Sequence, residues 1–142
     1  MSVSGVRRVV GGLSVFAVSA GFAVVAGVGV AGAAPVTAEF NSSGYKITRT
    51  ISNATPSEGD VITSTTVFKR TDFVVNYLYA VRDFHPSCMT YVEGSAKVNG
   101  KAYSPETPVS ADSVRVSASI TDWTLYQNNT KSFEFQYRVG AG

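Results

Sequence analysis

The chain has 142 residues, with 12 lysines and arginines against 10 aspartates and glutamates, and therefore a formal net charge of +2. This small excess is not gathered into a basic cluster, which argues against a nucleic-acid partner, because nucleic-acid binding requires concentrated positive charge. A single cysteine, Cys88, excludes an intrachain disulfide, so the fold must be stabilised by the packing of one hydrophobic core.

The N-terminal segment has the three features of a bacterial secretory signal peptide. Arg7 and Arg8 precede a charge-free apolar stretch over residues 9–38, which contains the small-residue sequence AGAAP with Ala31 and Ala33. The translocon holds such an apolar segment, and the signal peptidase accepts only small side chains at its cleavage site. We predict a signal peptide over residues 1–33, cleaved after Ala33, and a protein that is secreted or belongs to the cell envelope.

Two other interpretations of this segment stay open. The apolar run is long enough to span a bilayer as a retained anchor, although its glycines lower its helix propensity. If the segment is not cleaved, it is the only part of the chain expected to contact the membrane. The adjacent arginines also fit the start of a twin-arginine signal, but the rest of that motif is missing.

Removal of residues 1–33 leaves 109 residues with ten basic and ten acidic side chains. Residues 34–43 read as a flexible lead-in. From there to residue 142 the chain has the length of one domain.

Alternation of apolar and polar residues runs through most of that domain. A period of two is typical of half-buried strands, and Pro, Gly and Asp stand between the alternating segments. The predicted strands lie at 45–53, 61–70, 73–81, 89–98, 113–120 and 132–140. Six or seven such strands predict an all-β fold, an antiparallel sandwich of two sheets.

The strand predicted at 73–81 is apolar on both of its faces. One face can pack in the core, while the other must be covered by another element or contact a partner. We therefore predict a partner surface at Tyr77 and Tyr79.

The sequence of residues 51–100 resembles the bacterial surface "conserved repeat" domain, the domain of unknown function eleven. The most specific part of the resemblance is TYVEGSAKVNG over residues 90–100, and Pro56, Gly59, Asp60, Asp83 and Pro86 match the same family pattern. DWTL and SFEFQYRV, nearer the C-terminus, resemble the family's closing strands. The resemblance implies a single immunoglobulin-like β-sandwich at the cell surface with no catalytic residues.

The only histidine, His85, lies three residues before Cys88. A zinc site needs three or four protein ligands, and a nucleophilic cysteine needs an orienting third group besides the histidine. The sequence supplies neither, so we predict that His85 is an exposed turn residue and that Cys88 is a small apolar residue entering a strand. An unpaired cysteine in a secreted protein can also form a disulfide with another molecule, and Cys88 is therefore a candidate intermolecular thiol.

The carboxylates are spread over separate turns and outward strand positions, and we interpret all of them, including Asp83 and Glu93, as surface charge. We expect no enzymatic activity, no metal and no cofactor. The favoured function is a binding or adhesion module for a protein or envelope component. The alternatives are a structural subunit that self-associates into a homo-oligomer through an edge strand or Cys88, and a small secreted hydrolase.

Overall fold

The computed structural model describes residues 13–18, as a backbone strand, together with residues 34–119 and 122–140. Most of the predicted signal peptide, including its cleavage site, lies outside the described residues. Among the residues that are described, no helix has the length and hydropathy needed to span a membrane.

Strands form the regular structure of these ranges. They are β1 (Leu13–Val18), β2 (Val36–Ser42), β3 (Tyr45–Ile51), β4 (Val61–Arg70), β5 (Asn76–Phe84), β6 (Met89–Tyr91), β7 (Lys97–Val98), β8 (Lys101–Ala102), β9 (Ser113–Ser117), β10 (Thr124–Leu125) and β11 (Thr130–Val139).

The strands build two sheets. The larger has the order β2-β3-β4-β11-β7-β8, and β6 also pairs with β11. In the smaller sheet β5 pairs with β1 along one edge and with β9 and β10 along the other. Every described pairing is antiparallel apart from β1 with β5, which is parallel. The predicted all-β antiparallel sandwich is confirmed.

The core lies between the sheets and follows from the period-two pattern. In β11, Phe133, Phe135, Tyr137 and Val139 are buried, while the residues between them are only partly covered or exposed. Phe133 meets Phe68 of β4 edge to face, with ring centroids 5.5 Å apart. Burying an aromatic side chain of this size contributes about 1.5–3 kcal/mol, so these rings are a main source of stability.

Three segments differ from the sequence-based expectation. Residues 36–42, expected in a flexible lead-in, form β2 and pair with β3 along its whole length. The strand expected at 73–81 begins only at Asn76, because the Asp72 carboxylate accepts a hydrogen bond from the Val74 amide and holds a turn there. The strand expected at 89–98 is divided into β6 and β7 by a turn at Gly94, whose φ is +83°.

Candidate functional site

His85 and Cys88 do not form a reactive pair. His85, predicted to be exposed, is only 5% exposed, and its ring packs on the Tyr137 ring with centroids 4.4 Å apart. That prediction was wrong because an aromatic neighbour on β11 covers the turn. His85 Nδ1 lies 2.9 Å from the Pro86 carbonyl, and Nε2 has no hydrogen-bond partner among the described residues. Neither ring nitrogen therefore contacts the thiol of Cys88, which is half-buried against the core just before β6.

A buried polar cluster crosses the middle of the sandwich. Arg49 on β3 and Asp83 on β5 are both fully buried, and Arg49 Nη2 lies 2.9 Å from Asp83 Oδ1. Arg49 also donates hydrogen bonds to Ser64 Oγ at 3.1 Å and to the Phe84 carbonyl at 2.7 Å. Ser64 Oγ and the Tyr137 hydroxyl donate to the two oxygens of the Asp83 carboxylate, at 3.3 and 2.5 Å.

This cluster corrects the interpretation of Asp83 as surface charge. Arg49 stands at an inward position of β3, in phase with Tyr45, Ile47 and Ile51, and a buried guanidinium requires a buried anion. The position of Arg49 in the alternating pattern was the sequence signal for this pair.

The arrangement joins the two sheets, and the side chains of Arg49 and Asp83 are fully shielded from solvent. Burial, together with the charge and hydrogen bond of Asp83, holds the pKa of Tyr137 well above its usual value. Ser64 and His85 both lie near Asp83 in this region, but His85 makes no hydrogen bond to Ser64, so the geometry of a Ser-His-Asp triad is missing. No group of three or more His, Cys, Asp or Glu side chains that could hold a metal ion occurs in the described ranges.

Tyr77 and Tyr79, the predicted partner surface, lie on the outer side of β5. Tyr77 is opposite Thr124 of β10 and is half-buried, while Tyr79 is 40% exposed. Tyr79 occupies a β-bulge, since the register with β1 passes from Leu78 directly to Ala80. The bulge keeps Leu78 and Val81 facing the core and leaves Tyr79 outside.

A second exposed apolar surface lies at the end of the sandwich, just before β5. Phe73 is 82% exposed, Val74 51% and Tyr126 63%. We call these three residues the end patch. Phe73 and Val74 were expected in a strand, and Tyr126 in a connection, so the sequence did not single them out as a surface.

Hydrogen bonds hold the two loops of the end patch together. The Arg70 side chain donates to the carbonyl of Val74 at 2.9 Å and to that of Ser43 at 2.9 Å. The Arg70 amide donates to the Asn129 carbonyl, and Asn129 Oδ1 in turn accepts from the Tyr126 amide. The two loops that carry the end patch are therefore held in a fixed conformation by hydrogen bonds.

The loop after β8 and the turn between β6 and β7 enclose an open groove of about 510 Å³. Its walls include Tyr91, Glu93, Tyr103, Pro105 and Val109. The Tyr103 hydroxyl donates to the Ser117 carbonyl, and the Tyr91 hydroxyl accepts from the Ala96 amide. Desolvation, and then the charge of Asp122, raise the pKa of Tyr103. Of the residues that line the groove, Glu93 alone is charged, so catalysis by a pair of carboxylates has no basis there.

Comparison of the chain with protein-family models, with curated proteins and with solved structures found no match. Membership of the conserved repeat family therefore stays a prediction from the sequence.

Proposed function

We propose that this chain is an exported, non-enzymatic binding module of the bacterial cell surface or envelope, and that it contacts a protein or another envelope component through the end patch. The observation that carries this proposal is the contrast between the two kinds of functional side chain. The charged pair Arg49 and Asp83 is buried inside the sandwich, whereas Phe73, Val74 and Tyr126 are apolar side chains exposed on its surface.

The end patch is the strongest support. Leaving apolar side chains in water forgoes about 25 cal/mol for every Å² that could be buried, so large exposed apolar side chains on neighbouring loops are candidates for a contact site. Phe73, Val74 and Tyr126 come from two loops that hydrogen bonds hold in place. A contact surface that is already ordered loses less conformational entropy on binding.

The buried polar cluster supports the non-enzymatic part of the proposal. Asp83 and Arg49 are the charged pair with the most specific geometry, and both are fully buried in the fold. A general acid or base must come within hydrogen-bonding reach of a substrate, which these groups do not. The expected absence of a cofactor, a metal and a nucleic-acid partner is part of the same proposal.

Export and binding can be tested on the full chain expressed in a secreting bacterial host. Culture medium, envelope and cytoplasm are separated, and the intact mass of the recovered protein is measured. We expect to recover the protein outside the cytoplasm, with the mass calculated for a chain whose first residue is Ala34. Intracellular protein with an intact N-terminus would refute export.

Binding is then measured as the fraction of processed protein that sediments with purified envelopes. The test variant is Phe73→Ser with Tyr126→Ser, and the matched control is Val61→Ser with Val109→Ser, which removes two valines exposed by 42% and 39% elsewhere on the surface. Truncating two central contact residues weakens an interface by roughly tenfold or more, and the control is expected to bind like the unmodified protein. If the test variant and the control variant bound envelopes equally well, the end patch would not be the contact surface, and that part of the proposal would be refuted.

A further inference from the structure

Strand β1 occupies an edge of β5 that the proposed processing would leave empty. It pairs in parallel with β5 from Leu13 opposite Tyr77 to Val18 opposite Asp83, and it lies within the predicted signal peptide. We propose that loss of residues 1–33 frees this edge and that β5 of a second copy fills it, antiparallel about a two-fold axis. This inference rests on the proposed function in one respect, because it requires that the segment be removed.

The hydrogen-bonding directions of β5 show what is freed. The Tyr79 carbonyl accepts from Ala118, and the His85 amide donates to Asp112, so these groups point towards β9. Along a strand these directions alternate, so Ala80 and Arg82 direct their amide and carbonyl groups towards β1. Once β1 has gone, an unpaired row of donors and acceptors remains on an apolar strand, and such a row is a template for strand addition.

The side chains of β5 favour a second copy as the added strand. If Tyr77 of one copy lies opposite Arg82 of the other, Leu78 lies opposite Val81, and the symmetry repeats both pairs. Leu78 and Val81 face the core, whereas Tyr77 and Arg82 face outward. With Tyr79 bulged out of the pairing in both copies, the two residues of each of these pairs lie on the same face of the joined sheet. The Arg82 guanidinium, which donates to Ser113 Oγ at 2.9 Å in the single copy, can exchange that bond for stacking on the Tyr77 ring.

The exposed residues before β5 fit the same register. Continuing it past Asn76 places Phe73, which is 82% exposed, beside Pro86 of the second copy. The processed chain has ten basic and ten acidic side chains, so two copies approach each other without net repulsion. The dimer would thus cover part of the end patch as well as the open edge.

The first test measures the mass of the processed protein by native mass spectrometry and sedimentation. Arg82→Pro removes an amide that points to the open edge and leaves the β9 pairing, whereas Arg82→Ala removes only the side chain. We expect a dimer for the unmodified protein, a dimer about two- to fivefold weaker for Arg82→Ala, and a monomer for Arg82→Pro with an unchanged circular dichroism spectrum. An unmodified protein that is monomeric at about 0.1 mM would overturn the proposal.

The second test fixes the register and does not depend on the proline variant folding. With Cys88→Ser as background, Tyr77→Cys and Arg82→Cys are introduced together, since opposed residues of antiparallel strands lie within disulfide range. Oxidation should give a covalent dimer, whereas Tyr77→Cys with Phe84→Cys, which is out of register, should not. Equal cross-linking of the two pairs would contradict the register. A processed monomer that still binds envelopes through the end patch would overturn this inference and leave the proposed function standing.

Discussion

Arg49 and Asp83 provide the sharpest test of how this sandwich is stabilised. We consider Arg49→Met, Asp83→Asn and the variant with both changes. Each single change leaves one buried charge without its counter-ion, and breaking a buried ion pair in this way costs about 3–5 kcal/mol. A domain of this size has a total stability of about 5–15 kcal/mol, so either change removes a large fraction of it.

The double variant is expected to lose much less than the sum of the two single losses. Neither buried charge remains in the double variant, so the attraction between the two charges and the cost of removing them from water disappear together. Compared with the unmodified protein, the double variant then lacks only the hydrogen bonds that Arg49 and Asp83 make with neutral partners. Coupling within one network reaches about 0.5–3 kcal/mol, and full burial of both groups places this pair at the upper end.

Urea unfolding, followed by the fluorescence of Trp123, gives the free energies directly, because Trp123 is the only tryptophan in the sequence and is 4% exposed. A loss of 3–5 kcal/mol corresponds to a melting temperature lower by at least about 12 °C. Arg115→Met is the matched control, since Arg115 pairs with Glu106 at the surface and the expected loss is under about 1 kcal/mol. If Arg49→Met and Arg115→Met lost the same free energy, the stabilising role given to the buried pair would be refuted.

Three further predictions concern other parts of the fold. Burial raises the pKa of Tyr45 to about 12, above the value of about 10 in an unfolded chain. Burial of the neutral Tyr45 side chain therefore contributes its full stabilisation below pH 10, and this contribution is lost as the pH rises through 12. Urea unfolding should show the free energy of unfolding falling between these two pH values, and the fall should be less steep in Tyr45→Phe. Gly44→Ala should lower the melting temperature more than Gly59→Ala does, although both glycines have a positive φ. The reason is that a Cβ atom at Gly44 would lie 2.6 Å from Arg70 Nη1, whereas a Cβ atom at Gly59 would meet nothing. Equal losses of about 1 kcal/mol in the two variants would contradict this reasoning. If Cys88 joins two molecules, non-reducing electrophoresis of the purified protein should show a dimer that Cys88→Ser lacks, and identical migration with and without reductant would exclude the disulfide.

The period-two pattern predicts the sandwich because every long strand buries one face. It also locates β3, β4, β9 and β11 to within a few residues. It could not pair Arg49 with Asp83, since those residues are 34 positions apart and meet only when the two sheets face each other. Local turn chemistry decided the remaining differences, as at Asp72, where an Asx turn delays the start of β5 and leaves Phe73 outside the sheet.

The candidate surfaces were predictable only in part. Tyr77 and Tyr79 stood out because their strand is apolar on both faces, and the structure places both on its outer side. The end patch depends on which loops meet, and that follows from the pairing of β10 with β5. The prediction for His85 failed because its environment comes from Tyr137, which lies 52 residues further along the chain on β11.

The position of β11 has a consequence for how the protein is made. β11 lies between β4 on one side and β6 and β7 on the other, so the larger sheet stays in two pieces until the chain has been synthesised as far as Val139. Contacts between such distant segments form slowly. Under the proposed export, a growing chain that lacks its central strand would still be unfolded enough to pass through a membrane channel.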